Sequence, residues 1–350
     1  MTHDSPSPDT AKFPATIPAN QVEQPFFIVG PGRSGTTLLT STLNRHSRLC
    51  VTPETHFLHY RRRHFGTAAA PPDFESFWQD YTRWPRFKDL DIPVRRCRDR
   101  ILASGDTSFA NIFSIILAVF AEKQGKPRVG EKTPGHTRYL DTLDQWFGSP
   151  KVLFTIRDPR ASGASQLKTG YRQPELDGRP ALQRIVMLAR DAAEWVDIYA
   201  RRWADAAERM DMRMVRYETL VAAPQDEMQA ICMFLGEPYE SGLVARSRCA
   251  PSPASTSGVQ EGKTSWTERH LRKSRSAVTT ASVDKWRGEL SRLEVGLIEA
   301  IAGPTMRAHG YRPEANAALR QLGRAILASA RLLLKADDAA KRVRQRLLNG

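Results

Sequence analysis

A glycine-rich turn near the start of the chain has the spacing of a phosphate-binding loop. Gly30 and Gly35 bracket four residues, and Thr36 and Thr37 follow directly. The frame matches the nucleotide triphosphate loop G-x4-G-K-[ST], except that Thr36 stands where the lysine that holds the β- and γ-phosphates belongs. Backbone N–H groups at a helix start, together with the helix dipole, bind anions. The loop therefore predicts an anion site, and the missing lysine favours a ligand other than a triphosphate.

The residues around this turn predict the elements that position it. Phe26 to Val29 are four apolar, β-favouring residues, and the helical pattern after the turn continues to about His46. Later strands are predicted at Lys151 to Ile156 and at Met212 to Tyr217, and helices from about His136 to Phe147 and from about Ala181 to Met210. This alternation predicts an α/β fold: three layers, α/β/α, with a mainly parallel central sheet. In such sheets ligands bind beyond the carboxyl ends of the strands.

Several polar motifs follow predicted strands. Glu54 lies just after a short strand ending at Thr52, Lys132 lies at the edge of another, and Arg157 follows Ile156 directly. Because the carboxyl ends of parallel strands meet at one edge of a sheet, we expect these motifs to belong to one site.

Composition limits the class of protein and its partners. The 350 residues are 41% hydrophobic and 26% charged, which is typical of a soluble globular chain, and the net charge of +14 indicates anionic partners. The four cysteines are scattered without C-x-x-C spacing, so we expect no disulfide framework or metal site. The most apolar segment, Phe109 to Ala121, is too short to cross a bilayer, and no signal peptide opens the chain. We therefore expect a cytoplasmic protein.

Composition also predicts three segments. Residues 1–24 are rich in Pro, Ser and Thr and are predicted to be a disordered leader, and residues 25–312 to form the main domain. Residues 313–350 are predicted to form a basic amphipathic C-terminal helix, with arginines such as Arg320 and Arg324 opposite Leu319 and Leu322. This helix could dock on the domain, or it could make peripheral contact with an anionic membrane.

The motifs, in their order from about Phe26 to Tyr311, resemble those of the sulfotransferases that use 3′-phosphoadenosine 5′-phosphosulfate (PAPS). The resemblance is carried by Gly32-Arg33-Ser34-Gly35-Thr36-Thr37, Glu131-Lys132-Thr133-Pro134, Arg157-Asp158-Pro159-Arg160 and Arg216-Tyr217-Glu218-Thr219-Leu220. It implies that residues 25–312 are a sulfotransferase domain and that the first motif is a P-loop-like 5′-phosphosulfate-binding loop.

The resemblance also implies roles for single residues. The loop residues Arg33, Ser34, Gly35, Thr36 and Thr37 would bind the 5′-phosphosulfate, with Arg33 also stabilising the sulfuryl oxygens. Lys132 would contact the bridging oxygen on which negative charge develops. Arg157 and Ser165, which lie eight residues apart, would bind the 3′-phosphate. Tyr217 would reach the nucleotide, and Lys285 would help to close the site over the 3′-phosphate. Alternatively, Arg157 pairs with Asp158 or a helix end, and Glu131 pairs with Lys132 or an arginine.

The acceptor hydroxyl needs a base to take its proton. Glu54 is the candidate, since Pro53-Glu54-Thr55 resembles the segment that supplies a catalytic glutamate in protein-tyrosine and several bacterial sulfotransferases. His56, His59 and His136 are alternatives, because the cytosolic small-molecule branch of the family uses a histidine.

Together these observations predict a PAPS-dependent sulfotransferase that moves a sulfuryl group in line onto an acceptor hydroxyl and releases the nucleotide product, PAP. The acceptor is left open among sugars, lipids, tyrosine and secondary metabolites, because a shared fold does not fix the substrate. No metal is expected to be required, and no nucleic-acid partner is expected. The alternatives are a P-loop kinase, against which Thr36 argues, and a catalytically silent module that binds an anion or nucleotide.

Overall fold

The computed structural model describes residues 23–169, 180–244 and 280–329, and the strands in this part of the chain form one five-stranded sheet. The strands are β1 (Phe26–Val29), β2 (Leu49–Val51), β3 (Arg128–Lys132), β4 (Val152–Ile156) and β5 (Met212–Arg216). Their order across the sheet is β2-β3-β1-β4-β5, and β3 pairs in parallel with both β1 and β2. The predicted α/β fold with a mainly parallel sheet is confirmed.

Helices follow or separate the strands. The α-helices are α1 (Thr36–Leu43), α2 (Phe57–Phe65), α3 (Phe74–Arg83), α4 (Pro85–Lys88), α5 (Val94–Ala103), α6 (Phe109–Gln124), α7 (Leu140–Phe147), α8 (Pro159–Leu167), α9 (Pro180–Asp197), α10 (Ala204–Ala207), α11 (Tyr217–Ala222), α12 (Pro224–Leu235), α13 (Trp286–Glu289), α14 (Arg292–Ala308) and α15 (317–329). Short 3₁₀ turns occur at Pro134–Tyr139, Ser241–Leu243 and Thr280–Ser282.

Three predicted helix boundaries were wrong. Helix α1 ends at Leu43 rather than His46, since the ring of His46 is buried and bonds to Pro238 O at 2.9 Å. The helix expected from about His136 begins at Leu140, because His136 lies in a 3₁₀ turn.

The helix expected over 181–210 is broken by a π-helical turn, Ile198–Trp203, and ends at Ala207. Within this turn, the buried Tyr199 donates a hydrogen bond to Thr155 O at 2.7 Å. Inserted turns of this kind re-aim a helix where packing requires it. The predicted strand through Tyr217 also stops one residue early, and Tyr217 opens α11.

The described residues divide into two compact units. Residues 23–28, 37–153 and 228–244 form the first unit, and residues 29–36, 154–169, 180–227 and 280–329 form the second.

The first unit buries the aromatic residues of α2 to α6. Phe57 stacks on Phe113 with ring centroids 4.6 Å apart, and Phe77 stacks on Tyr81 at 5.5 Å. Arg61 covers this core, with its guanidinium 5.1 Å from the ring of Trp146. The aromatic residues of this region therefore act chiefly as helix packing.

The second unit is centred on α8, α9 and α14, and α15 packs against α14. A Cβ atom on Gly323 would lie only 2.7 Å from Gly296 O, so the two helices meet at their glycines. Leu319 and Leu327 pack onto this core, while Leu322 is 45% exposed. The described part of the C-terminal helix is thus docked, and its contact with a membrane stays a prediction that depends largely on residues outside the described ranges.

Two features of the sequence analysis fall outside the described residues: the leader up to residue 22, and Cys249. Cys50, Cys97 and Cys232 are buried free thiols. In the described ranges, no helix has the length and apolar character needed to cross a membrane.

Candidate active site

The loop between β1 and α1 needs glycine at both of its ends. Gly30 has a φ of +144°, and a Cβ there would lie 2.3 Å from Thr155 Oγ1. Gly35 has a φ of +93°, and a Cβ there would lie 2.4 Å from the ring of Tyr217. Only glycine tolerates both the backbone conformation and the close approach. The loop therefore takes the tight form that the G-x4-G spacing predicts.

Side-chain hydroxyls hold the loop together from inside. Ser34 is 1% exposed, and its Oγ donates to Pro31 O at 2.6 Å and lies 2.6 Å from Thr155 Oγ1. Thr36 is also buried, whereas Thr37 is half-buried. The hydroxyl of Ser34 therefore bonds within the loop. The groups that the loop can offer to an anion are the backbone N–H groups at the start of α1.

A cluster of polar side chains lies beside this loop in the second unit, and we call it the Arg157 cluster: Arg157, Arg33, Ser165, Tyr217 and Ser282. The two terminal nitrogens of Arg157 donate to Arg33 O at 3.1 Å and to Ser282 O at 2.8 Å. Its guanidinium carbon lies 4.2 Å from the centroid of the Tyr217 ring. Arg33 Nε donates to Ser165 Oγ at 3.1 Å, so the structure brings these four predicted residues together.

The Nε atom of Arg157 is buried and has no hydrogen-bond partner among the described residues. The alternative pairing with Asp158 does not occur, because that carboxylate accepts hydrogen bonds from Arg160, with Nη2 at 2.7 Å. Buried donors are costly to leave unpaired. Arg157 is therefore a fixed cation with one buried donor that an anion could use.

Local structure explains why Arg157 is fixed. It follows β4 directly, and its carbonyl accepts a hydrogen bond from Trp195 Nε1 at 2.9 Å. Asp158 caps α8 by accepting from Arg160 N at 2.8 Å, and Ser165 lies in the last turns of that helix. Lys285, in contrast, is exposed at the start of α13.

A second cluster lies in the first unit, and we call it the Glu54 cluster: Glu54, Lys132, His56, Glu131, Thr55, Thr133 and His136. Glu54 Oε1 accepts a hydrogen bond from Lys132 Nζ at 2.8 Å, and Glu54 Oε2 accepts one from His56 Nε2 at 3.0 Å. Burial opposes the charge, but the hydrogen bond from His56 and the charge of Lys132 outweigh it and lower the pKa of Glu54 to about 2. The structure thus brings the predicted base and the predicted cation into one ion pair.

Glu131, the residue before Lys132, takes partners that the sequence did not suggest. It bonds to neither Lys132 nor an arginine in the described chain. Its Oε1 accepts hydrogen bonds from Thr55 Oγ1 at 2.8 Å and Thr133 Oγ1 at 2.6 Å, and its Oε2 accepts one from His136 Nδ1 at 3.0 Å. Burial opposes ionisation, but His136 and the two hydroxyls lower the pKa of Glu131.

The three candidate histidines differ in the exposure of their side chains and in pKa. The side chain of His136 is 0% exposed, so an acceptor hydroxyl could not reach it without a rearrangement. Burial and the charges of His136 and His56 lower the pKa of His59 to about 4. His56 is the most accessible of those on the cluster, with 29% of its side chain exposed.

Sequence reasoning missed three residues of these clusters. Thr55 and Thr133 are adjacent to predicted residues, so the Pro-Glu-Thr and Glu-Lys-Thr-Pro motifs contained the signal. Ser282 carried none, because its contact with Arg157 joins residues 125 positions apart. Among the described residues there is no group of three or more His, Cys, Asp or Glu side chains that could hold a metal ion.

Residues 25–241 match the Sulfotransferase family, which covers both the loop and the motifs of the two clusters. The chain belongs to the sulfotransferase family. Members of this family are sulfotransferases, transferases that carry out sulfation, and the family implies PAPS as the sulfuryl donor.

Two relatives of this sulfotransferase show how far the similarity extends. The chain is 27% identical over 297 residues to nodulation protein NoeE of Sinorhizobium fredii, which covers 79% of this chain and 63% of that protein. It is 24% identical over 301 residues to protein-tyrosine sulfotransferase 1 of Danio rerio, which covers 83% of this chain and 73% of that protein. The chain thus spans just under two thirds of the length of NoeE.

A solved structure has the same fold. The sulfotransferase domain from the curacin biosynthetic pathway superimposes with a TM-score of 0.50 at 15% identity, covering 84% of this chain and 99% of that domain. At this identity the likeness supports the fold and does not extend to the acceptor.

Proposed function

We propose that this chain catalyses transfer of a sulfuryl group from PAPS to an acceptor hydroxyl. The observation that carries the proposal is the ion pair between Glu54 and Lys132, at 2.8 Å, from segments 78 residues apart in the sequence. A carboxylate to accept a proton and an ammonium to stabilise a leaving oxygen are the two groups that such a reaction needs.

The Arg157 cluster fits the nucleotide part of the donor. Arg157 offers a buried Nε donor, and Ser165 Oγ already accepts a hydrogen bond from a second guanidinium. Apart from its chain neighbours, no described residue has an atom within 4 Å of a Cβ built on Gly32. A guanidinium and a hydroxyl suit a phosphate dianion. We assign Arg157 and Ser165 to the 3′-phosphate, with Tyr217 beside them and Lys285 as a further cation.

The loop suits the 5′ end of the donor. The N–H groups of Ser34 to Thr37 would bind the 5′-phosphosulfate oxygens, and Arg33 would stabilise the transferring group. Arg33 must then exchange its hydrogen bond to Ser165 for one to the ligand, which costs little because both are single hydrogen bonds.

PAPS supplies the sulfuryl group and leaves as PAP. The bond from the acceptor oxygen to sulfur forms as the bond from sulfur to the bridging oxygen breaks, and Glu54 takes the acceptor proton. With a pKa of about 2, Glu54 is a weak base while it is held by Lys132 and His56. If Lys132 turns to the bridging oxygen, Glu54 loses its strongest positive neighbour and becomes more basic.

The relatives suggest one class of acceptor hydroxyl to test. Some relatives are named as protein-tyrosine sulfotransferases, so a tyrosine hydroxyl joins sugar, lipid and secondary-metabolite hydroxyls as an acceptor to screen.

Thermal melting with three ligands tests the proposal. PAP should raise the melting temperature, whereas 3′-dephospho-PAP and ATP–Mg²⁺ should not. At a hundred times its dissociation constant, a ligand stabilises the fold by about 2.7 kcal/mol, which a melt resolves. A response to ATP–Mg²⁺ alone would favour a kinase and contradict the proposal. PAP binding without transfer to any screened acceptor would favour a silent module.

A further inference from the structure

Glu54 lies outside the sheet, whereas its partner Lys132 is the last residue of β3 and pairs with Ile28 of β1. Strands β2 and β3 pair up to Val51 opposite Gly130, and Thr52 N donates to Gly130 O at 2.8 Å. Glu54 lies three residues beyond the end of β2. Its turn, Pro53 to His56, therefore needs other contacts to hold it in register with Lys132.

The carboxylate of Glu131 provides these contacts. Besides the hydroxyl of Thr55, its Oε1 accepts a longer bond from Thr55 N, at 3.4 Å, so both ends of that residue are tied to β3. Thr55 Oγ1 also accepts from Phe57 N at 3.3 Å, which links the same contact to the first residue of α2. One buried carboxylate thus fastens the turn and the helix that follows it.

A hydroxyl bonded to Glu131 also fixes His56, the second partner of Glu54. Thr133 Oγ1 donates to Glu131 and accepts from His56 N at 3.2 Å. His56 has a φ of +48°, a left-handed conformation that is unfavourable for a residue with a side chain. Strain of this kind persists only where the surroundings enforce it, and here it accompanies the contact between the ring and Glu54.

Burying the carboxylate of Glu131 is less favourable than burying an apolar core residue. Its side chain is 0% exposed, and burying a carboxylate is unfavourable unless hydrogen bonds compensate it. Its hydrogen-bond partners among the described residues are Thr55, Thr133 and His136, and the first two are neighbours of Glu54 and Lys132 in the chain. An apolar residue could fill the space but could not align these segments.

We propose that Glu131 is a positioning residue for the Glu54–Lys132 pair, because its buried carboxylate fastens the turn of Glu54 to the end of β3. The inference rests on the proposed function, which makes this pair catalytic. It adds that the geometry of the pair depends on a residue that touches neither the donor nor the acceptor.

The test measures the titration of Glu54 by ¹³C NMR of the side-chain carboxyls, with Glu54→Gln to assign the signal. In the wild-type chain Glu54 should titrate near pH 2. In Glu131→Ala the turn loses its anchor, Glu54 separates from Lys132 and His56, and its pKa should rise toward the ordinary value of 4.5. Glu131→Gln keeps an oxygen for Thr55 and Thr133 and should leave the titration at its wild-type position.

Two further variants keep the test decisive. Thr133→Val removes the partner of His56 N with little change in volume, and it should raise the pKa of Glu54 even if Glu131→Ala does not fold. Glu122→Ala is the matched control, since Glu122 is a buried carboxylate of the same unit whose Oε2 accepts from Arg96 at 2.7 Å. It should lower the melting temperature and leave the titration of Glu54 unchanged.

An unchanged titration of Glu54 in both Glu131→Ala and Thr133→Val would overturn the proposal and reduce Glu131 to a packing residue. The same samples are melted with PAP. A wild-type chain that does not respond to PAP would count against the proposed function, whereas the Glu54 titration would still decide the role of Glu131.

Discussion

The Arg157 cluster and the Glu54 cluster differ in whether their charged side chains have a partner of opposite charge. In the Glu54 cluster the carboxylate of Glu54 already has two cationic or imidazole partners, and its pKa is lowered to about 2. In the Arg157 cluster the guanidinium of Arg157 donates to two carbonyl oxygens, and its Nε is buried without a partner in the described chain.

This difference separates the two tasks of the proposed enzyme. A site that binds an anionic donor gains most from cations fixed in advance and left without a counter-charge. A base and a cation that act during the reaction can be stored as an ion pair, which satisfies both charges until the donor arrives. The predictions below test each side of this comparison, from the largest expected effect to the smallest.

Removing the proton acceptor should have the largest effect. Glu54→Gln keeps the size of the side chain but removes its charge, so the rate of transfer from PAPS should fall about 10²–10⁴-fold, as for the loss of a general base. PAP should still raise the melting temperature. A variant that transfers sulfuryl groups at the wild-type rate would show that Glu54 is not the base.

The stored ion pair should make the chain acid-sensitive. Glu54 has a folded pKa of about 2 against an ordinary value of 4.5, so its contribution to stability is present above pH 4.5 and is lost as the pH falls through 2. The loss should amount to roughly 3 kcal/mol. Denaturant unfolding between pH 5 and pH 2 measures it, and Glu54→Gln should flatten the curve. An equally steep curve in that variant would contradict this account.

Removing the guanidinium of Arg157 should weaken donor binding. Arg157→Ala should weaken PAP binding about 10–100-fold, the value of one or two charge-assisted hydrogen bonds. Arg157→Lys should restore little of the affinity for PAP, because an ammonium cannot reproduce the planar set of N–H donors of a guanidinium. Arg202→Ala is the matched control, since Arg202 is an arginine of the same unit that bonds to Asp197 Oδ2 at 2.8 Å. Equal affinity in the Arg157 and Arg202 variants would remove Arg157 from the donor site.

A carboxyl elsewhere in the second unit, that of Asp191, should act on stability alone. Burial and the charge of Glu194 raise the pKa of Asp191 to about 7. Its contribution is fully present below pH 3.8 and is lost as the pH rises through 7. Asp191→Asn should therefore raise the melting temperature by several degrees at pH 8, raise it less at pH 5, and leave it nearly unchanged below pH 3.8. A loss of PAP binding in this variant would extend the Arg157 cluster to α9.

The sequence allowed the loop and the strand-end residues to be predicted because their signals are local. The glycines of the loop and the eight-residue spacing of Arg157 and Ser165 are visible without knowledge of the fold. The partners of Glu131 and the contact of Ser282 with Arg157 could not be read, since they depend on which strands become neighbours. The break at Ile198–Trp203 was missed for the same reason, because α9 read as one continuous helical pattern.

A crystal structure of the chain with PAP tests the central claim most directly. The account predicts a 3′-phosphate oxygen at hydrogen-bond distance, about 3 Å, from both Arg157 Nε and Ser165 Oγ, with the 5′-phosphate at the N–H groups of Ser34 to Thr37. A complex in which PAP binds elsewhere, with Arg157 Nε still unpaired, would contradict it.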